Sequence, residues 1–426
     1  MIHSRGKALA LFFGLMMGAS APALAQDCLS FEQALKLNET LDPAIGEALA
    51  NSAQAEARLK QVKADWKPQV SAFGRTTDGP LGVGDAQTNN QFGLVLSQRI
   101  YDFGQGKYQK EAAESRLLAS GFTLDQTKNS SAVEVAQIYL LVMRSKERVE
   151  SAKVHKGYLE SLIGEVDTRL SSNLITLAEK NSIKAEYALT TSNLIEEELE
   201  LSAALAELAV LTGETMSTCS ALSSFDSFLE AKLPPTMVDA VNVAISRNPE
   251  LSVAKAESSA ILADFEATKR SRLPILNLQA ITAFTNNDFV GDFDNQNRVG
   301  LEVNTPILGF GRYSGAEEEA AGRYTASQLT LDRQRRDIEK TITQAWQKSI
   351  AYERLALSQA DMRDSLKAEA EALNREFENN LRPFQDILRA EADVQSAELR
   401  EIDARYSSRQ EKLEIAFFTD SLKVTR

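Results

Sequence analysis

The chain has 426 residues, 43% hydrophobic and 25% charged, with only 10 prolines and 21 glycines. Its formal charge of −13 argues against nucleic acid as a partner, because phosphate binding needs clustered Lys and Arg. The two histidines, His3 and His155, cannot build a His-based triad or a three-His metal site. With no P-loop, G-x-S-x-G or C-x-x-C in the sequence, neither catalysis nor a cofactor is expected.

Residues 1–25 read as a secretory signal. Arg5 and Lys7 form its basic region, Ala8 to Met17 its apolar region, and Ala23-Leu24-Ala25 its cleavage site. Removing it takes the formal charge from −13 to −15. No other stretch approaches the ~18 uninterrupted apolar residues that a spanning helix needs. Cys28 and Cys219 both lie outside the long helical tracts. After export a disulfide between them is plausible and would tie the N-terminus to the middle of the chain, with two unpaired thiols as the alternative. Asp27 before Cys28 does not fit a lipobox, so no lipid anchor is expected.

The first structural repeat covers 26–212. It opens with a helix over 30–66 that Ser30 caps, Asp42-Pro43 interrupts and Lys67-Pro68 ends. Alternating strands follow over 68–78 and 91–101, around the polar loop 79–90. At Asp102-Phe-Gly104 the period switches from two to about 3.6, and helices follow over 104–171 and 174–211. The unbroken helix would measure about 100 Å. Its Val135, Ile138, Val142, Val149, Leu159, Ile163 and Val166 lie along a heptad seam that wants partner helices. Turns at 171–173 and 379–380 carry Asn173 and Asn380, residue types that accept a left-handed cap.

A connector over 213–235 leads to a second structural repeat over 236–420, with a C-terminal tail over 421–426. That repeat reads as helix 236–272, strands 274–286 and 298–308, and helices 312–379 and 383–419. Gly93, Phe103 and Gly104 recur as Gly300, Phe310 and Gly311, an offset of 207 residues. The chain is a duplication. Strands of this length with one apolar and one polar face suit an outer-membrane barrel wall or, equally, a soluble half-buried sheet; if they do span a membrane, four cannot close a barrel. Chains must pool them: three would supply twelve strands, although two or four would also close.

The 207 offset makes Glu179 and Asp386 equivalent, each just after a helical turn. Repeated around an axis they would form a carboxylate ring that favours cations, against the plainer reading of a solvated helix face. Asp288, Asp292 and Asp294 lack calcium-loop spacing and read as a solvated loop, and His155 reads as a helix-surface residue.

The duplication, Ala34-Leu35 with Asp42-Pro43, the twin Ala240-Val241 with Asn248-Pro249, the Tyr101-Asp-Phe-Gly104 joint and the turn 380–390 together resemble the TolC family of outer-membrane factors. The resemblance covers residues 30–420. It implies a mostly α fold with membrane β structure. Long helical hairpins, forming a coiled-coil tunnel, join a four-strand contribution to a shared trimeric 12-stranded β-barrel. It also implies a homotrimer in outer-membrane lipid, with a helical body in the periplasm that docks a periplasmic adaptor and an inner-membrane ABC or proton-driven transporter.

The resemblance puts a pore-constricting aspartate at Asp386, a gate-associated arginine at Arg382 and an acidic tip residue at Glu179. Arg389 departs from the family, which has a second aspartate there, and leaves a local pair with Asp386 open. The function implied is an outer-membrane exit duct for type I protein secretion or for small molecules. Absence of a lipobox favours secretion. The competing reading is a non-channel periplasmic coiled-coil adaptor or scaffold.

Overall fold

The computed structural model describes residues 28–80, 86–172, 174–215, 218, 222–287, 293–379 and 381–422. The leader, Cys219, Asn173, Asn380, Asp288 and Asp292 lie outside the described residues. In chain order the elements are α1 (Phe31–Leu41), α2 (Pro43–Ala64), β1 (Gln69–Pro80), β2 (Ala86–Tyr101), α3 (Gln105–Ser171), α4 (Leu177–Thr212) and α5 (Leu222–Lys232). There follow α6 (Met237–Arg247), α7 (Pro249–Arg270), β3 (Ile275–Asn287), β4 (Phe293–Asn304), α8 (Arg312–Glu378) and α9 (Phe384–Phe418).

Local chemistry explains the breaks. Asp42 closes α1 and accepts from the Ala44 amide at 2.8 Å, so Pro43 starts α2 where its missing N–H costs nothing. Asn248 does the same for α7, accepting from Leu251 N at 3.1 Å. Each helix read from the sequence as one interrupted element is thus two helices sharing a cap. The connector is not irregular throughout: α5 buries Phe225 and Leu229 in the central core. The last strand ends at Asn304 rather than 308, because Pro306 cannot donate to a ladder.

Long and split helices alternate across the body. α8 packs on the row made by α7 and α9, that row packs on α3, and α3 packs on the row made by α2 and α4. Both unbroken helices have 67 residues, about 100 Å at 1.5 Å per residue. Where α1, α3, α4, α5 and α9 meet, Phe31 packs edge-on to Tyr139 and Phe225 with ring centroids 5.4 and 4.8 Å apart. Nearby, Leu29 bridges Thr218 and its carbonyl accepts from the Tyr139 hydroxyl at 3.1 Å. Cys28, next along the chain, is disulfide-bonded.

The sheet runs β1-β2-β3-β4, antiparallel throughout. Its register puts Val70, Leu94, Leu96, Leu278, Leu301 and Val303 on one face. Arg75, Ser97, Gln279, Arg298 and Glu302 share the other. Phe92 and Phe284 stand opposite each other across β2–β3 and stack at 5.6 Å. Each hairpin leaves for its long helix through a left-handed Phe-Gly pair: φ is 54° at Phe103 and 89° at Gly104, and 42° at Phe310 and 89° at Gly311. Two successive left-handed residues turn the chain sharply, and glycine carries the second at no steric cost.

Candidate functional site

At the end of the body away from the sheet, the two hairpins share a core. Leu159, Leu162 and Val166 of α3 meet Ile183 of α4, Phe377 of α8, and Phe384 and Ile387 of α9. Phe377 and Phe384 pack edge-on at 5.3 Å, and the Arg169 guanidinium lies 4.3 Å from the Phe377 ring centre. Both turns are built alike. Leu174 N donates to Arg169 O at 2.9 Å, and Leu381 N to Glu376 O at 2.9 Å, the six-to-one bond of a Schellman ending. Asn173 and Asn380, expected to take the left-handed position, lie outside the described residues.

Glu179 and Asp386 each fall on the third residue of their helix, α4 and α9. Their chemistry diverges there. Glu179 reaches back into a capping box: its Oε2 accepts from the Thr176 amide at 2.7 Å and the Thr176 hydroxyl at 2.9 Å. In the second repeat Pro383 stands where Thr176 does, and proline has no N–H to give. The half-exposed Asp386 carboxylate is therefore left for a cation. Arg382 supplies it, with Nη1 at 3.9 Å, while its Nε donates to Glu376 Oε2 at 2.8 Å. The Glu376 bond holds the Arg382 guanidinium above its ordinary pKa.

Arg382 thus clasps the last turn of α8 to the first turn of α9. The local pair between Asp386 and Arg389 does not form: Arg389 is exposed, and among the described residues no carboxylate lies within ion-pairing distance of it. In the first repeat, Lys180 pairs instead with Asp167, whose carboxyl it holds low.

A second constellation escaped the sequence. Midway along the body, Arg148 of α3 bridges Glu197 of α4 and Asp403 of α9, and Arg144 also donates to Asp403 at 2.9 Å. Glu147 accepts from Arg405 at 2.7 Å and from the Tyr406 hydroxyl at 2.8 Å. Arg363 of α8 reaches Glu401, and Arg409 binds both oxygens of Asp226 on α5 at 2.7 Å. Burial and the neighbouring Glu147 carboxylate raise the Tyr406 hydroxyl well above its ordinary pKa, and hydrogen bonding to Glu197 does the same for Arg148. A charge flanking the heptad seam, Arg148 beside Val149, was the available signal. His155, read as a surface residue, is buried against α9, and burial lowers its pKa against the opposing pull of Glu398.

A family model described as outer membrane efflux protein matches residues 34–214 and 240–419, the two repeats. The chain belongs to that family. Outer membrane efflux protein BepC of Brucella suis biovar 1 (strain 1330) is 21% identical over 403 residues, covering 91% of this chain and 86% of BepC. Outer membrane protein TolC of Escherichia coli (strain K12) is 20% identical, covering 94% of this chain and 84% of TolC. A solved structure of CusC, from work on its folding and transmembrane channel formation, superposes with a TM-score of 0.82 at 16% identity and covers 91% of each chain. That likeness shows the fold. The outer membrane efflux protein described here is an exit duct of the outer membrane, with its helical body in the periplasm. The scaffold reading falls away with the family match.

Proposed function

We propose that three copies pool their strands into a twelve-stranded barrel, and that their helices form a periplasmic tunnel closed at the tip by Arg382 and Asp386. The sheet carries this reading. Its strands of 12, 16, 13 and 12 residues are long enough to span, one face is apolar and the other polar, and among the described residues β1 and β4 form the two edges of an open sheet. A single open sheet cannot rest in lipid. The exposed rings of Trp66, Tyr101, Phe103 and Phe310 gather where strands become helices, with Phe310 exposed over 96% of its surface. Aromatic rings at one level favour a membrane–water boundary there.

At the opposite end, a periplasmic adaptor and an inner-membrane transporter would dock and supply the energy that the duct lacks. Docking would open the tip by displacing the Arg382 clasp. The cargo is protein or small molecule.

Single-channel conductance of the purified protein in a planar bilayer tests the reading. Small stable channels are expected, growing severalfold in Arg382→Ala and Asp386→Ala and unchanged in Glu179→Gln. Unchanged conductance in the first two variants would remove the clasp from the gate. A folded protein giving no channels would overturn the duct.

A further inference from the structure

Where the strands meet the helices, charge runs against the rest of the chain. The equivalent segments 61–68 and 267–274 end α2 and α7, and the equivalent segments 99–110 and 306–317 open α3 and α8. Together they carry nine Lys and Arg against three Asp and Glu, a net of +6 in a chain of −13. The far ends of the two hairpins have the opposite sign: 76–91 and 285–298 carry five Asp and one Arg, a net of −4. Only the helix end of the wall is cationic.

Five of the nine cations answer a carboxylate of their own chain. Arg99 pairs with Asp102, Lys107 with Glu111 and Lys110 with Glu114, while Lys269 and Arg270 share Glu266. Lys63, Lys67, Arg272 and Arg312 are exposed and make no ion pair among the described residues. Of the carboxylates in the same segments, Asp65 and Glu317 are likewise unpaired, so four cations stand against two anions.

We propose that this cationic collar recognises anionic phospholipid headgroups in the leaflet facing the periplasm, with Lys67, Arg272 and Arg312 meeting their phosphates. The inference rests on the membrane-spanning reading of the sheet and names the lipid class that its periplasmic rim selects.

The neighbours of these cations favour lipid over a soluble acidic partner. Lys67 follows the exposed Trp66, and Arg312 follows the largely exposed Ile307, Leu308 and Phe310. Trp66 and Arg272 hold equivalent places 206 residues apart, an indole in one repeat and a guanidinium in the other. Rings settle at headgroup level, and long cationic side chains lay their stems on apolar surface while the charge reaches out to phosphate. A soluble partner would answer the cations and leave the rings wet. Headgroup chemistry decides between lipids: phosphatidylethanolamine carries an ammonium beside its phosphate, whereas phosphatidylglycerol leaves the phosphate for the protein.

Electron spin resonance of the full-length protein in mixed phosphatidylethanolamine–phosphatidylglycerol liposomes tests this. Each lipid is spin-labelled in turn, and the motionally restricted fraction reads the lipid held at the protein surface. At about 0.1 M salt the phosphatidylglycerol label should be favoured about fivefold, roughly the factor that one cation contributes at an anionic surface. At about 1 M, where the screening length shortens to ~3 Å, the preference should fall severalfold. Lys67→Gln with Arg272→Gln and Arg312→Gln should bring it near unity. Lys67→Arg with Arg272→Lys and Arg312→Lys should keep it, and Arg298→Gln, at the acidic end, should leave it unchanged.

Equal association of both labels with inserted wild-type protein overturns the collar while the membrane wall stands. So does a preference that survives the triple glutamine variant, or an equal loss in Arg298→Gln. A folded protein that does not insert, and so restricts no lipid, overturns both.

Discussion

Arg148 Nη1 lies 2.9 Å from both carboxylate oxygens of Asp403, joining α3 to α9 while the rest of the guanidinium holds Glu197 of α4. One arginine therefore ties the first helical hairpin to the second, at a level where all three groups are at least partly buried. Removing it strands Glu197, which is nearly buried, without a cation. A charge left unpaired in such a site costs more than the pair itself contributed. Arg148→Met is expected to destabilise the body by about 2–3 kcal/mol. Arg148→Lys should recover less than half, since one ammonium cannot make the paired bonds. Urea unfolding followed by far-UV circular dichroism measures both.

At the tip, the capping box predicts a stability role for Glu179 rather than a gating one. Glu179→Ala should cost about 1 kcal/mol through the lost N-cap bonds. Glu179→Gln should cost less, because its side-chain oxygen still accepts from the Thr176 amide. Converting Pro383 to Thr would offer Asp386 the same cap and draw it from Arg382. Increased conductance is expected in Pro383→Thr and unchanged conductance in Glu179→Gln, both read in planar bilayers.

How much of this was legible from sequence follows period and punctuation. The Phe-Gly joints announced where strands become helices, because the period changes there and glycine marks the left-handed turn. Pro43 and Pro249 marked helix starts, but reading them as interruptions missed that Asp42 and Asn248 serve two helices at once. α5 escaped because its apolar residues, Phe225 and Leu229, sit in a short segment rich in Ser and Pro. The equivalence of Glu179 and Asp386 was visible by offset. Their divergence depended on Thr176 against Pro383, a difference in backbone donors that a search for carboxylates does not weigh. The ion pairs of Arg148 and Arg409 join residues far apart in sequence, so only the fold brings them together.

Buried His155 and partly buried Glu391 give the body opposite pH sensitivities. Burial holds the His155 pKa below its ordinary 6.5, so between those values the unfolded chain binds the extra proton and stability falls as pH drops through 6.5. Burial raises Glu391 above its ordinary 4.5, so the folded state keeps its proton longer and stability falls as pH rises through that window. Acidification from pH 7.5 to 5.5 lies mainly on the histidine side. The wild-type urea midpoint is expected to fall over that range, and the fall to shrink in His155→Gln. Equal falls in the two proteins would assign the acid sensitivity elsewhere.

The first joint is expected to be tighter than the second. Buried Asp102 accepts from Gly106 N at 2.7 Å and Gly104 N at 3.1 Å, and Arg99 lies 3.4 Å from it. Gly309 stands at the equivalent place and can cap nothing. A Cβ on Gly106 would meet Trp66 Nε1 at 2.6 Å and Asp102 Oδ2 at 2.8 Å, so Gly106→Ala must move the indole or break the cap. Trp66 lies at the level assigned to the membrane boundary, which gives a direct readout. In a Trp346→Phe background, Gly106→Ala should shift Trp66 emission and change its quenching by brominated lipid. Asp102→Asn, which trades one acceptor for a donor facing an N–H, should cost about 1–3 kcal/mol. It should also speed amide exchange at Gly104 and Gly106 while leaving Gly311 unchanged. Equal acceleration at both joints would mean that Asp102 acts on the whole wall instead of on its own turn.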